Sequence, residues 1–70
     1  MYKPKTAADK LIEQMTVGKR YMNHHLPPLA REAGISDDER AIVHHVHKLY
    51  KQGKIERHHD VSYIEWERVS

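Results

Sequence analysis

"DDERAIVHHVHKLYKQGK", residues 37–54, is the stretch that decides how the chain folds. Its apolar residues Ile42, Val43, Val46, Leu49 and Tyr50 stand at offsets 0, 1, 4, 7 and 8, one face of a helix with 3.6 residues per turn. Ser36 and Glu39 form a Ser-x-x-Glu pattern just before this run, the signature of a capping box that satisfies unpaired N–H groups at a helix start. The spacing predicts a helix beginning at Asp37 and stopped by Gly53. At 100° per residue, the face opposite Ile42, Val46 and Leu49 carries Asp37, Arg40, His44, His47, Lys48 and Lys51. Apart from its first member, that stripe is cationic or titratable to a cation.

The positive charge continues past the helix. Between Arg40 and His59 the cations Arg40, Lys48, Lys51, Lys54 and Arg57 meet one acid, Glu56, a balance of +4, and five of the seven histidines fall in the same span. The whole chain of 70 residues carries only +2, so the remainder is about −2 and an anion would be drawn to residues 40–59. Every amphipathic helix turns polar groups to water, and lysine is common there. The continuation of the sign into Lys54, Arg57, His58 and His59 is what favours a nucleic-acid partner.

Working outward towards the N-terminus, "PPLAREAGIS" reads as a short helix over residues 28–33, with proline in its first turn, where a missing N–H costs nothing, and Gly34 after its end. "KRYMNHHL" is ambiguous between a short strand at Tyr21 and Met22 and a loop. "TAAD" gives a Thr-x-x-Asp helix start before Ala8, Leu11, Ile12 and Met15, which predicts a first helix over residues 7–17 closed by Gly18. Residues 1–5 read as a flexible basic tail. Towards the C-terminus, "KIER" and "VSYIEWERV" flank "HHD" as the strands of a hairpin, with Ile64 and Trp66 as the inward pair.

A chain this short, 39% hydrophobic and without cysteine, holds one domain with one modest core and no disulfide or thiolate metal site. No apolar run approaches the ~20 residues of a membrane span, and the first ten residues lack the hydrophobic stretch of a secretory signal, so a cytoplasmic location is expected.

The fold class expected from this order is α+β, mainly α with a small β-hairpin. "LAREAGIS" and "VHKLYKQGKIER" resemble the winged helix-turn-helix family, and the resemblance covers most of residues 7–68. Leu29, Ala30, Gly34 and Ile35 match the family's first helix and turn. Ile42, Val46, Leu49, Gly53 and Ile55 match its recognition helix and the start of its wing. The resemblance implies a recognition helix, about residues 37–52, in a DNA major groove and a wing, about residues 55–67, on the backbone or an adjacent minor groove. Arg40, His44, His47, Lys48 and Lys51 would then lie in or beside the major groove, with Lys54, Arg57, His58 and His59 holding the backbone. Arg40 is the one residue of the stripe able to fork onto a guanine edge.

Asp37, Asp38 and Glu39 argue the other way, since they would repel phosphates, although acids in a first turn also complement the helix dipole by about 0.3–1 kcal/mol each. Together with the acidic strand end "EWE" they favour a competing reading, a winged-helix protein-interaction module that docks on a transcription or replication complex. A chain ending just after its wing suggests a small regulator, of the kind prokaryotes, phages and plasmids encode, that represses by occlusion. A homodimer on DNA would offset its small footprint.

Other chemistries are less well supplied. No two histidines stand four apart on the helix, so no physiological metal site is expected, nor any cofactor. Protonation of all seven histidines would carry the formal charge from +2 to +9 and strengthen binding to any polyanion. Catalysis is not expected: there is no cysteine nucleophile, no glycine-rich phosphate loop, and no triad partner for Ser36 or Ser62.

Overall fold

Thr6 and Asp9 cap each other: the Thr6 hydroxyl accepts from the Asp9 N–H and the Asp9 carboxylate accepts from the Thr6 N–H, both at 3.2 Å. This box starts the first helix of the computed structural model, which describes residues 4–70. The helices are α1 (Ala7–Glu13), α2 (Leu26–Glu32) and α3 (Glu39–Lys51), and the strands are β1 (Arg20–Met22), β2 (Ile55–His59) and β3 (Ile64–Arg68). Three of the five residues expected to form a basic tail lie outside the described residues. Lys5, within them, is ion-paired with Glu13.

Helix α1 ends four residues before the expected Val17. Two tertiary contacts take over there: the Tyr21 hydroxyl accepts from the Thr16 N–H at 2.8 Å, and the Gly18 N–H donates to the Arg68 carbonyl at 2.8 Å. Met15 remains buried although it lies beyond the helix.

The two later helices stop by one device. At the end of α2 the Ile35 N–H reaches the Ala30 carbonyl at 3.0 Å and the Gly34 N–H that of Arg31 at 3.1 Å. After α3 the pairs are Lys54 to Leu49 at 3.1 Å and Gly53 to Tyr50 at 3.0 Å. Both are Schellman motifs, and they need a left-handed residue at the glycine, where φ is +74° in each case. Helix α2 begins at Leu26, two residues ahead of the expected span, because Pro27 is accommodated in its first turn.

The expected hairpin is the larger part of a three-stranded antiparallel sheet of order β1-β3-β2. Trp66 pairs with Tyr21 on one side and with Arg57 on the other, which makes β3 the central strand. Trp66 is buried, as expected of an inward residue, whereas Ile64 is only half-buried. The Trp66 indole donates to Asn23 Oδ1 at 3.0 Å, which satisfies the ring's one polar atom. Ala8, Leu11, Leu26, Ala30, Leu49 and Ile55 close the core between helices and sheet. Three helices on one three-stranded antiparallel sheet make an α+β architecture compatible with a winged helix. No helix among the described residues is long and apolar enough to cross a membrane.

Candidate nucleic-acid interface

Ile42, Val46 and Leu49 are at most 3% exposed and fix the rotation of α3. Their burial turns Arg40, His44, His47, Lys48 and Lys51 outward, and all five are exposed. His44, His47, Lys48 and Lys51 line one shallow groove, and Arg40 stands one turn before His44. Among the described residues, neither Arg40, Lys48 nor Lys51 is ion-paired with an acid. His47 also faces the sheet, its ring centroid 5.9 Å from that of Trp66. His45 is half-buried on the margin of the core; burial, followed by the positive neighbours His44 and Lys48, holds its imidazole below the ordinary histidine range.

The start of α3 differs from the expected capping box. The helix begins at Glu39, after Asp38 as N-cap, and no side chain caps it. The Ser36 hydroxyl accepts instead from the Asp38 N–H, at 3.2 Å, a local turn that competes with helix formation. Asp37 is drawn back towards α2 by Arg31, whose Nη1 donates to Asp37 Oδ2 at 2.9 Å. Asp37 therefore lies outside the helix and is not a member of its stripe.

The four residues expected on a wing divide. Lys54 precedes β2, and its ammonium donates to Asp9 Oδ1 at 3.2 Å, joining the start of the hairpin to α1. The Thr6 N–H first, and then Lys54, hold the Asp9 carboxyl below its usual range. His58 lies on the outer face of the sheet, with Nε2 2.7 Å from Glu67 Oε1 and 3.8 Å from Glu56 Oε2. Strand alternation places Glu56, Glu65, Glu67 and Arg20 on that same face. Arg20 Nε is 3.7 Å from Glu67 and its Nη1 3.9 Å from Glu65. Arg57 and His59 alternate onto the opposite face, the one that Trp66 turns to α3, and both are exposed. Arg57 carries no ion pair among the described residues.

The cations thus gather on the α3 side, while Lys54 and His58 are engaged elsewhere. The acids of "EWE" are visible in the sequence, and the structure adds their face: burying Trp66 forces Glu65 and Glu67 to the outer side of the sheet.

A second feature the sequence did not display is an apolar groove of about 110 Å³ where α2, α3 and β3 meet. Leu26, Pro27, Val43, Ile64 and Trp66 line it, with Glu39 and His47 at its polar margin. Compared with models of protein families, with curated proteins and with solved structures, the chain matches none.

Proposed function

We propose that this chain is a winged helix-turn-helix domain that binds double-stranded DNA, with α3 in the major groove and the β2–β3 hairpin beside the backbone. The observation that carries this reading is the row of exposed cations on α3 that have no acidic partner among the described residues, Arg40, Lys48 and Lys51, interleaved with His44 and His47. Surface lysines that are paired internally gain little from a phosphate. These are free to displace condensed counterions, the source of most non-specific affinity for DNA. Thirteen helical residues give α3 a length of roughly 20 Å at 1.5 Å per residue, ample for a major groove, which admits one helix.

The order of helices, the glycine turn between α2 and α3, and the antiparallel sheet support the family reading. Arg57, on the helix side of the hairpin, is the wing cation best disposed towards the backbone. Regulation of transcription by occlusion follows as the simplest use of such a domain.

A second reading, docking on a protein complex, is favoured by the apolar groove beside α3, with Glu39 at its margin. NMR titration of the labelled chain with mixed-sequence duplex DNA at two salt concentrations separates the two. Shifts along α3 that weaken steeply with salt support DNA binding. An unchanged spectrum at low salt removes it and leaves the groove as the surface to pursue.

A further inference from the structure

Glu56 and His58 are alternate residues of β2, so their side chains leave the same face of the sheet, and Glu67 is the cross-strand partner of Glu56. One donor atom from each of the three lies within 4.8 Å of the other two. The His58 Nε2 distances, 2.7 Å to Glu67 and 3.8 Å to Glu56, straddle the ~3.3 Å between donors that tetrahedral bonds of about 2.0–2.1 Å produce. Directly opposed like charges destabilise a strand pair, and here two carboxylates are held in that relation. The fixed cation on this face, Arg20, lies beside Glu65 and Glu67, and Glu56 is paired only with His58 among the described residues.

We propose that Glu56, His58 and Glu67 form a binding site for a first-row divalent metal ion of the Zn²⁺ type. One imidazole and two carboxylates suit such an ion, and the chain contains no cysteine to draw it elsewhere. Three protein donors leave a fourth position for water, and Glu56 is the most exposed of the three. The donors stand on two hydrogen-bonded strands, so side-chain rotations of small amplitude complete the geometry. With Glu65 and Arg20, the outer face has a balance of −2 when His58 is neutral, which one divalent ion cancels. Nε2 must give up its hydrogen bond to Glu67 and bind through its lone pair, so ion and proton compete for the same atom. Nothing in this proposal depends on the DNA reading.

The test is a Zn²⁺ titration of the labelled chain at neutral pH, followed by calorimetry and by NMR of the histidine rings and backbone amides. The expected result is one ion per chain, with shifts on the His58 ring and on residues 55–59 and 64–68. H58N and E67Q should each weaken binding by about tenfold or more, and H44N/H47N should leave it unchanged. Glu56 is exposed and contributes nothing to the core, so E56Q remains folded and must also weaken the ion. Shifts centred on His24, His25, His44 or His47, unchanged affinity in E56Q, or no binding at about 1 mM Zn²⁺ would overturn the assignment.

Discussion

Arg68 caps the end of α1 from the far end of the chain: its Nη1 donates to the carbonyl oxygen of Met15 at 3.0 Å, and the same nitrogen reaches the Ile12 carbonyl at 3.0 Å. The Ile12 carbonyl also accepts from the Met15 N–H at 3.0 Å and Met15 lies beyond the helix, so the guanidinium ties the last turn of α1 to the turn that follows it. R68A is expected to lower stability by about 1–3 kcal/mol in urea denaturation, with faster amide exchange in α1 before the rest of the fold. R68K should recover only part, because an ammonium cannot reproduce the planar fork.

Leu49 is fully buried between α3 and its surroundings. L49A should cost about 2–5 kcal/mol through lost burial and the cavity left behind. Loss of the native amide spectrum at a milder urea concentration than in R68A would rank the core above the cap.

Among the described residues Lys48 and Lys51 have no acidic partner, whereas Lys54 is held by Asp9. If α3 meets DNA, K48A and K51A should each reduce the slope of log affinity against log salt by about 0.9, the value for one phosphate contact. K54A should leave that slope as it was. The charge-reversed pair K48E/K51E should abolish duplex binding, and an unchanged salt dependence in that variant would exclude α3 as the recognition helix.

Acid should lower the protein's stability in two steps. Burial holds the His45 imidazole below its ordinary value, so as pH falls just below ~6.5 the unfolded chain takes up a proton that the folded chain refuses. Stability therefore rises with pH across that window and is lost on acidification. Asp9 and Asp60 are both held low, Asp9 chiefly by the Thr6 N–H and Asp60 chiefly by the Val61 N–H. Their contribution is present above the usual carboxylate range and disappears as pH falls through their folded-state values. Urea midpoints measured from neutral to strongly acidic pH should show both steps, and H45Q should remove the upper one alone.

Where partners lie close in sequence, the fold was legible. The Thr6–Asp9 box, the glycines 34 and 53 at the ends of α2 and α3, and the apolar face of α3 all follow from spacings of a few residues. Strand β1 was ambiguous because three residues show barely one alternation, and its pairing partner Trp66 lies 45 residues from Tyr21. The Ser36 and Glu39 pattern misled because Arg31, on another helix, competes for the turn through Asp37. The candidate site was legible on the helix and half-legible on the hairpin. The stripe on α3 depends on one rotation angle, whereas the fates of Lys54 and His58 depend on Asp9 and Glu67, which only the folded chain brings near.

The division of charge between the two sides has a consequence at a distance. With a net charge of only +2, the chain as a whole is weakly drawn to a polyanion. Cations on the α3 side and carboxylates on the outer sheet nevertheless separate charge across the molecule. If α3 meets a nucleic acid, that separation exerts a torque that turns α3 to the front. Such alignment would raise the fraction of productive encounters, and salt should erase it beyond a Debye length of about 10 Å at 0.1 M.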